Sequence, residues 1–210
     1  MIASTRHTVI LLAILAAITF ATYAANAKRP SGGHVNRTVL YLSIAGGEWL
    51  LARYTTSGLR GITARELIGS FRWWDVPLAV AFYFVSQAVL FGIQRALGPG
   101  PDRIAGLTPT TLGEKIAWVV VAVTAGIVEE LVFRGYLQRQ FIAWSRSAAA
   151  GIVIQAIVFA AAHAYQGIKP TITIAVYALF FGLLAHFRRG LVPGMLAHAA
   201  TDVIGGLFVR

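Results

Sequence analysis

The sequence predicts an all-α fold, a polytopic membrane helix bundle of six to seven transmembrane helices around an internal polar cavity. Three observations lead there. Of the 210 residues, 57% are hydrophobic and only 12% charged, about half the charged share of a soluble domain, and mean hydropathy is +0.70. Uncharged apolar runs recur along the whole chain, several near the ~20 residues that cross a hydrocarbon core. Ionisable residues stand inside some of those runs. Each costs roughly 2.5–3.5 kcal/mol there even on lenient insertion scales, which makes it a functional candidate.

Seven runs read as spans: 8–27, 38–52, 76–94, 116 into the acid pair at 129–130, 147–168, 170–187 and 190–209. The first carries Arg6, an apolar stretch and Ala25-Asn26-Ala27, features shared with a secretory signal peptide. A retained span is the preferred reading, because further apolar runs follow at once. The second run is short and contains Glu48 beside Trp49, read as a packing acid satisfied by a neighbour or as a sign of partial interfacial placement, with a direct catalytic role the least favoured reading. Between Thr55 and Asp75, Arg60, Arg65 and Arg72 alternate with Leu59, Leu67, Phe71, Trp73 and Trp74. That pattern predicts an amphipathic surface helix with an aromatic belt at the mouth of the third span. Gly98-Pro99-Gly100-Pro101 breaks the chain, and Thr110 or Thr111 starts the next helix. Gly135 loosens the fourth span, and Ser145-Arg146-Ser147 makes the turn into the fifth.

The polar connections are too short to fold alone, so any chemistry takes place in or beside the bilayer. The chain has no cysteine, which excludes disulfides, thiolate metal sites and a cysteine nucleophile. The net charge of +10 is spread over nearly every loop. With no basic arm or patch, a nucleic-acid partner is not expected, and attraction to anionic headgroups accounts for the charge. Lys and Arg are slightly more numerous on the side of the N-terminus, which favours placing that side in the cytoplasm.

The stretch Glu129-Glu130-Leu131-Val132-Phe133-Arg134 ends the charge-free run that begins at Ile116. Glu130 and Arg134 are four apart and share a helix face, so they read as a structural pair. Glu129 points about 100° away and reads as a free carboxylate. The plain alternative is a helix that leaves the membrane at Val128 with all three charges in water. Two later spans carry histidine: Phe159 and His163 are four apart, as are His198 and Asp202. Glu129 and His163 are equidistant from Arg146, so a straight hairpin brings them to one depth. Two chemistries suit such a set. Glu129, His163 and His198 could hold Zn²⁺ and an activated water. Without metal, Glu129 and His163 would deprotonate water, while His198 and Asp202 polarise a carbonyl or bind an oxyanion. Serine chemistry is disfavoured, since Ser145 and Ser147 lie at the turn.

The ordered set Glu-Glu-x-x-x-Arg (129–134), Phe-x-x-x-His (159–163) and His-x-x-x-Asp (198–202) resembles the CAAX-protease and bacteriocin-processing family of intramembrane metalloproteases, to which Ras-converting enzyme belongs. The resemblance spans about 115–205. It implies an all-helical membrane fold with a conical cavity, and endoproteolysis near the membrane by a glutamate-activated water. It makes Glu129, His163, His198 and Asp202 catalytic, with Glu130, Arg134 and Phe159 in support. The chain is expected to form one continuous membrane domain, with N-terminal spans and interfacial helices over 1–113 and a four-helix protease core over 114–210. The last motif often ends in Asn; Asp here could not donate to an oxyanion when ionised, so it is either protonated or orients His198. The expected partners are a peptide or membrane-protein substrate and the lipid bilayer, and the Gly/Ala-rich composition suggests a multi-pass protein of a bacterial inner membrane. A non-proteolytic scaffold or bacteriocin-immunity protein would use the same cavity for binding. A small proton-coupled transporter is the third reading.

Overall fold

In the computed structural model, residues 1–27, 36–98 and 105–208 are described. The helices are α1 (Thr5–Ala27), α2 (Arg37–Ser57), α3 (Ala64–Ile68), α4 (Asp75–Leu97), α5 (Leu112–Glu129), α6 (Gln138–Ser145), α7 (Ala148–Ala162), α8 (Ile168–Arg188) and α9 (Val192–Phe208). A π-helical segment, Glu130–Leu137, joins α5 to α6. The bundle is all-α, as the composition implied. Among the described residues, four helices are long and apolar enough to cross a membrane: α1, α4, α8 and the continuous Leu112–Ser145 unit. The apolar helices α7 and α9 are shorter.

Local chemistry sets the ends. Thr111 caps α5 in a reciprocal capping box with Glu114, which satisfies two otherwise orphaned N–H donors. Arg146 adopts a left-handed conformation (φ 58°) after α6, and the Ser147 side chain caps α7. The Ser145–Ser147 turn is therefore where the sequence placed it. The hairpin register holds as well: Phe133 and Phe159, equidistant from Arg146, pack edge to face with centroids 4.8 Å apart.

Two expectations are corrected. The stretch from Thr55 to Asp75 is no continuous surface helix. α2 runs on to Ser57, and the remainder holds only the five-residue α3. Thr63 and Glu66 start α3 with a capping box, and these bonds from the Thr63 backbone and hydroxyl hold the Glu66 carboxyl below the ordinary carboxylate range. Gly69 (φ 80°) stops it where a Cβ would sit 3.2 Å from Gly190 Cα. The segment is held down by tertiary bonds instead: Leu191 N–H donates to Ile68 O at 2.8 Å, and Arg188 pairs with Asp75 at 2.6 Å. The aromatic residues Phe71, Trp73 and Trp74 remain exposed, as a belt requires.

The fifth span is also shorter than 147–168. α7 ends at Ala162, and His163 is its C-cap. The cause lies in one carbonyl. In a continuing α-helix, Phe159 O would accept from His163 N–H. Here His163 N–H donates to Ala160 O, and the His163 ring Nδ1 takes Phe159 O at 2.8 Å. The side chain substitutes for the backbone donor, the helix tightens into a 3₁₀ turn at Ala164–Gln166, and Gly167 (φ 108°) reverses the chain into α8.

The core sits around the π segment. Val128, Val132, Tyr136 and Leu137 are fully buried, together with Leu11 of α1 and Leu191. The extended residues before α1 are tied to it: Gln140 accepts from the Ile2 and Ala3 N–H groups and donates to Ala3 O, and Thr8 bonds to the Tyr136 hydroxyl.

Candidate active site

Gln138 N–H donates to Phe133 O, five residues back, at the end of the π segment. That wider turn is a feature that recurs at functional sites. It carries Glu130 and Arg134 into the interior, where the Glu130 and Arg134 side chains are 1% and 0% exposed and pair at 2.9 Å. The guanidinium lies over the Phe159 ring at 4.3 Å and the Phe181 ring at 5.3 Å. Cation–π attraction of this kind is worth about 2 kcal/mol when desolvated.

Glu130 Oε1 has a second donor. His198 Nδ1 approaches it at 3.0 Å. An ionised carboxylate only accepts, so Nδ1 carries the proton and Nε2 is the ring atom left for chemistry. Nε2 faces Glu129 Oε2 at 3.7 Å and Asp202 Oδ2 at 3.6 Å. The rings of Phe159, Tyr177 and Phe181 enclose His198 at centroid distances of 6.2, 5.7 and 5.6 Å. Gly194 leaves room behind the pair, since a Cβ there would sit 3.1 Å from Glu130 Oε2.

His163 meets the same aromatic partition from the other helix, with its ring 4.6 Å from Phe159. Its Nδ1 donates to Phe159 O, so its Nε2 is free to accept in the neutral form. His163 lies within electrostatic reach of Asp202. Glu129, Glu130, Arg134, Phe159, His163, His198 and Asp202 thus form one neighbourhood drawn from the α5–π unit, α7 and α9. Asp202 is further fixed by Trp118, whose indole N–H donates to its backbone carbonyl at 2.9 Å.

Close approach of α5 to α9 builds the site. A Cβ on Gly126 would lie 2.6 Å from Ala199 N and 2.8 Å from Ala199 Cβ, a backbone clash no rotamer relieves. Gly126→Val is expected to push α9 outward, carrying His198 and Asp202 with it. Stability should fall by about 1–3 kcal/mol, read by thermal unfolding in detergent.

Several neighbours were not assigned to the site from sequence. Glu48 of α2 is within electrostatic reach of Glu129, Asp202 and His198, and its Oε2 is buried without a hydrogen-bond partner among the described residues. Its Oε2 therefore speaks against the satisfied packing acid, one of the readings that the sequence left open. Tyr165 is within reach of Glu129 and Asp202, and Gln87 of α4 donates to Thr201 at 3.2 Å. Only Glu48 left a trace in the sequence, as an acid in an apolar run.

Zinc requires at least three protein donors about 2.0–2.2 Å from one point. Among the described residues, no three His, Asp or Glu side chains converge in that way. His198 and His163 each have a metal-ligating histidine's surroundings, with Nδ1 on a carboxylate in the first and on a backbone carbonyl in the second. The residues as placed do not form a zinc set.

Residues 111–204 match the family model described as type II CAAX prenyl endopeptidase Rce1-like. Comparison with curated proteins and with solved structures gives no match. The matched segment contains all three motifs, and over these residues the chain is similar to the Rce1-like CAAX-type proteases.

Proposed function

We propose that this protein is an intramembrane endopeptidase that hydrolyses a peptide bond in a peptide or membrane-tethered protein tail, using a water activated by Glu129 and histidine. The observation that carries the reading is the opposition of Glu129 Oε2 and His198 Nε2 at 3.7 Å, with Glu130 and Arg134 locked behind them. Glu129 Oε2 is buried with no hydrogen-bond partner among the described residues. A buried carboxylate oxygen in that condition calls for a donor, and water supplies one.

In this reading Glu129 takes a proton from the water as its oxygen attacks the scissile carbonyl. His198, held by Glu130, presents Nε2 to the same region. A donor on Nε2, or His163 in its protonated form, stabilises the oxyanion. Asp202 acts through His198, whose Nε2 it faces. An ionised Asp202 accepts only and favours the protonated imidazole, in keeping with a role in orientation. An apolar groove of about 440 Å³ between α1 and α7 runs past Leu12, Leu15, Ile157 and Ala161 to Tyr165, two residues beyond His163. It supports entry of an apolar or membrane-embedded part of the substrate.

The test is cleavage of membrane-anchored tail peptides, with and without a prenyl group, by protein reconstituted in liposomes. Products are identified by mass, and Glu129→Gln is the control. Activity that survives exhaustive chelation supports the glutamate–histidine route, and activity lost on chelation and restored by Zn²⁺ supports the metal route. No cleavage of any tail by the wild type, or equal cleavage by the control, overturns the peptidase reading.

A further inference from the structure

Glu48 belongs to α2, outside the segment that carries the family match. Tyr41, Ala45, Ala52 and Thr55 are the buried residues of α2, and Glu48 falls on the same stripe, at the alternating four- and three-residue intervals of one helix face. That stripe packs on α5. Tyr41 meets Trp118 edge-on at 5.2 Å, and Ala45 clusters with Ala117 and Val121. Trp118 also donates to Asp202 O of α9. α5 therefore packs against both α2 and α9, and Glu48 of α2 lies within electrostatic reach of Glu129, His198 and Asp202. Glu48 Oε2 and Glu129 Oε2 are both buried, and neither has a hydrogen-bond donor among the described residues.

We propose that Glu48 is a further catalytic residue of this chain, the acid that protonates the leaving amine. The assignment rests on the peptidase reading above. Carboxyl groups facing one another in a poorly solvated site do not all ionise, and the division into one proton holder and one base is how acid and base roles separate. With Glu129 as base, Glu48 holds the proton. Glu129 accepts one proton of the attacking water as the new C–O bond forms. When the C–N bond breaks, its electron pair stays on nitrogen, which takes the proton of the Glu48 carboxylic acid. The products are a carboxylic acid and an amine. Glu129 is left protonated and Glu48 ionised, and one proton passed back through water refilling the cavity restores both.

The experiment compares two substrates of one sequence, a peptide that the wild type cuts and its analogue with an aryl ester at the scissile bond. A phenolate leaves without being protonated; an amine does not. Glu48→Gln is expected to lower kcat for the amide on the order of 10²-fold with KM little changed. It should also abolish the alkaline limb of the kcat/KM pH profile, while leaving the ester within a few-fold of wild type. Glu48→Asp should keep the limb. Equal losses on amide and ester, or an amide rate equal to wild type, would overturn the assignment. Should the Gln variant melt early, Glu48→Met fills the same volume on an apolar face, and the same ratio decides. If wild type cuts and Glu129→Gln does not, an unchanged ratio removes Glu48 alone. If Glu129→Gln matches the wild type, the peptidase reading falls first.

Discussion

Glu129→Gln is expected to abolish measurable cleavage while leaving the fold intact. The amide keeps the shape of the carboxylate but cannot take a proton from water, and loss of a general base costs on the order of 10²–10⁴ in rate. At about 1.4 kcal/mol per factor of ten, that is about 3–5 kcal/mol of transition-state stabilisation. The fold should tolerate it, because no position in the bundle depends on a hydrogen bond to Glu129 Oε2 among the described residues, and His198 is already fixed through Glu130. Turnover and thermal unfolding measured on the same preparation check this. A variant that cuts at the wild-type rate would remove Glu129 from the chemistry.

Arg134→Met should have the opposite profile, a large loss of stability from which the loss of activity follows. Arg134 is the partner of a side chain buried to the same depth. Removing one member of such a pair strands the other charge and costs about 3–5 kcal/mol. Among the described residues Glu130 would retain only His198 as a hydrogen-bond donor, and the Phe159 and Phe181 rings would lose the cation between them. Replacing both members, as in Glu130→Leu with Arg134→Met, should recover much of the stability, since an apolar pair of similar volume carries no desolvation penalty. Activity should stay absent in the double variant, because His198 Nδ1 would then lack the carboxylate that orients it. Unfolding midpoints and turnover across the single and double variants separate the two roles. Recovery of turnover together with stability would show that Glu130 does not orient His198.

These two variants probe adjacent acids that share a helix, and the sequence distinguishes them only by angle. Spacing alone places Glu130 beside Arg134 and turns Glu129 away. It cannot show that Glu130 also holds His198, because that contact joins residues 68 positions apart. The π segment is equally hidden: Glu130–Leu137 reads as ordinary helix in sequence, and the five-residue hydrogen-bond step is seen only in the structure.

What the sequence by itself determined is the bundle and its order. Apolar runs of helix length, the turn at Ser145–Ser147, the Thr111 start of α5 and the three motifs all depend on neighbours within a few positions, where hydrophobic periodicity and capping act. What only the tertiary structure decided is which groups share a cavity. Glu48 joined the neighbourhood because α2 lies against α5, and Asp202 because Trp118 fixes its turn of α9. His163 became a helix cap because its ring took the carbonyl its own backbone gave up. Each of these depends on the three-dimensional setting of a side chain, in helices packed side by side or at a helix end, which local periodicity does not encode.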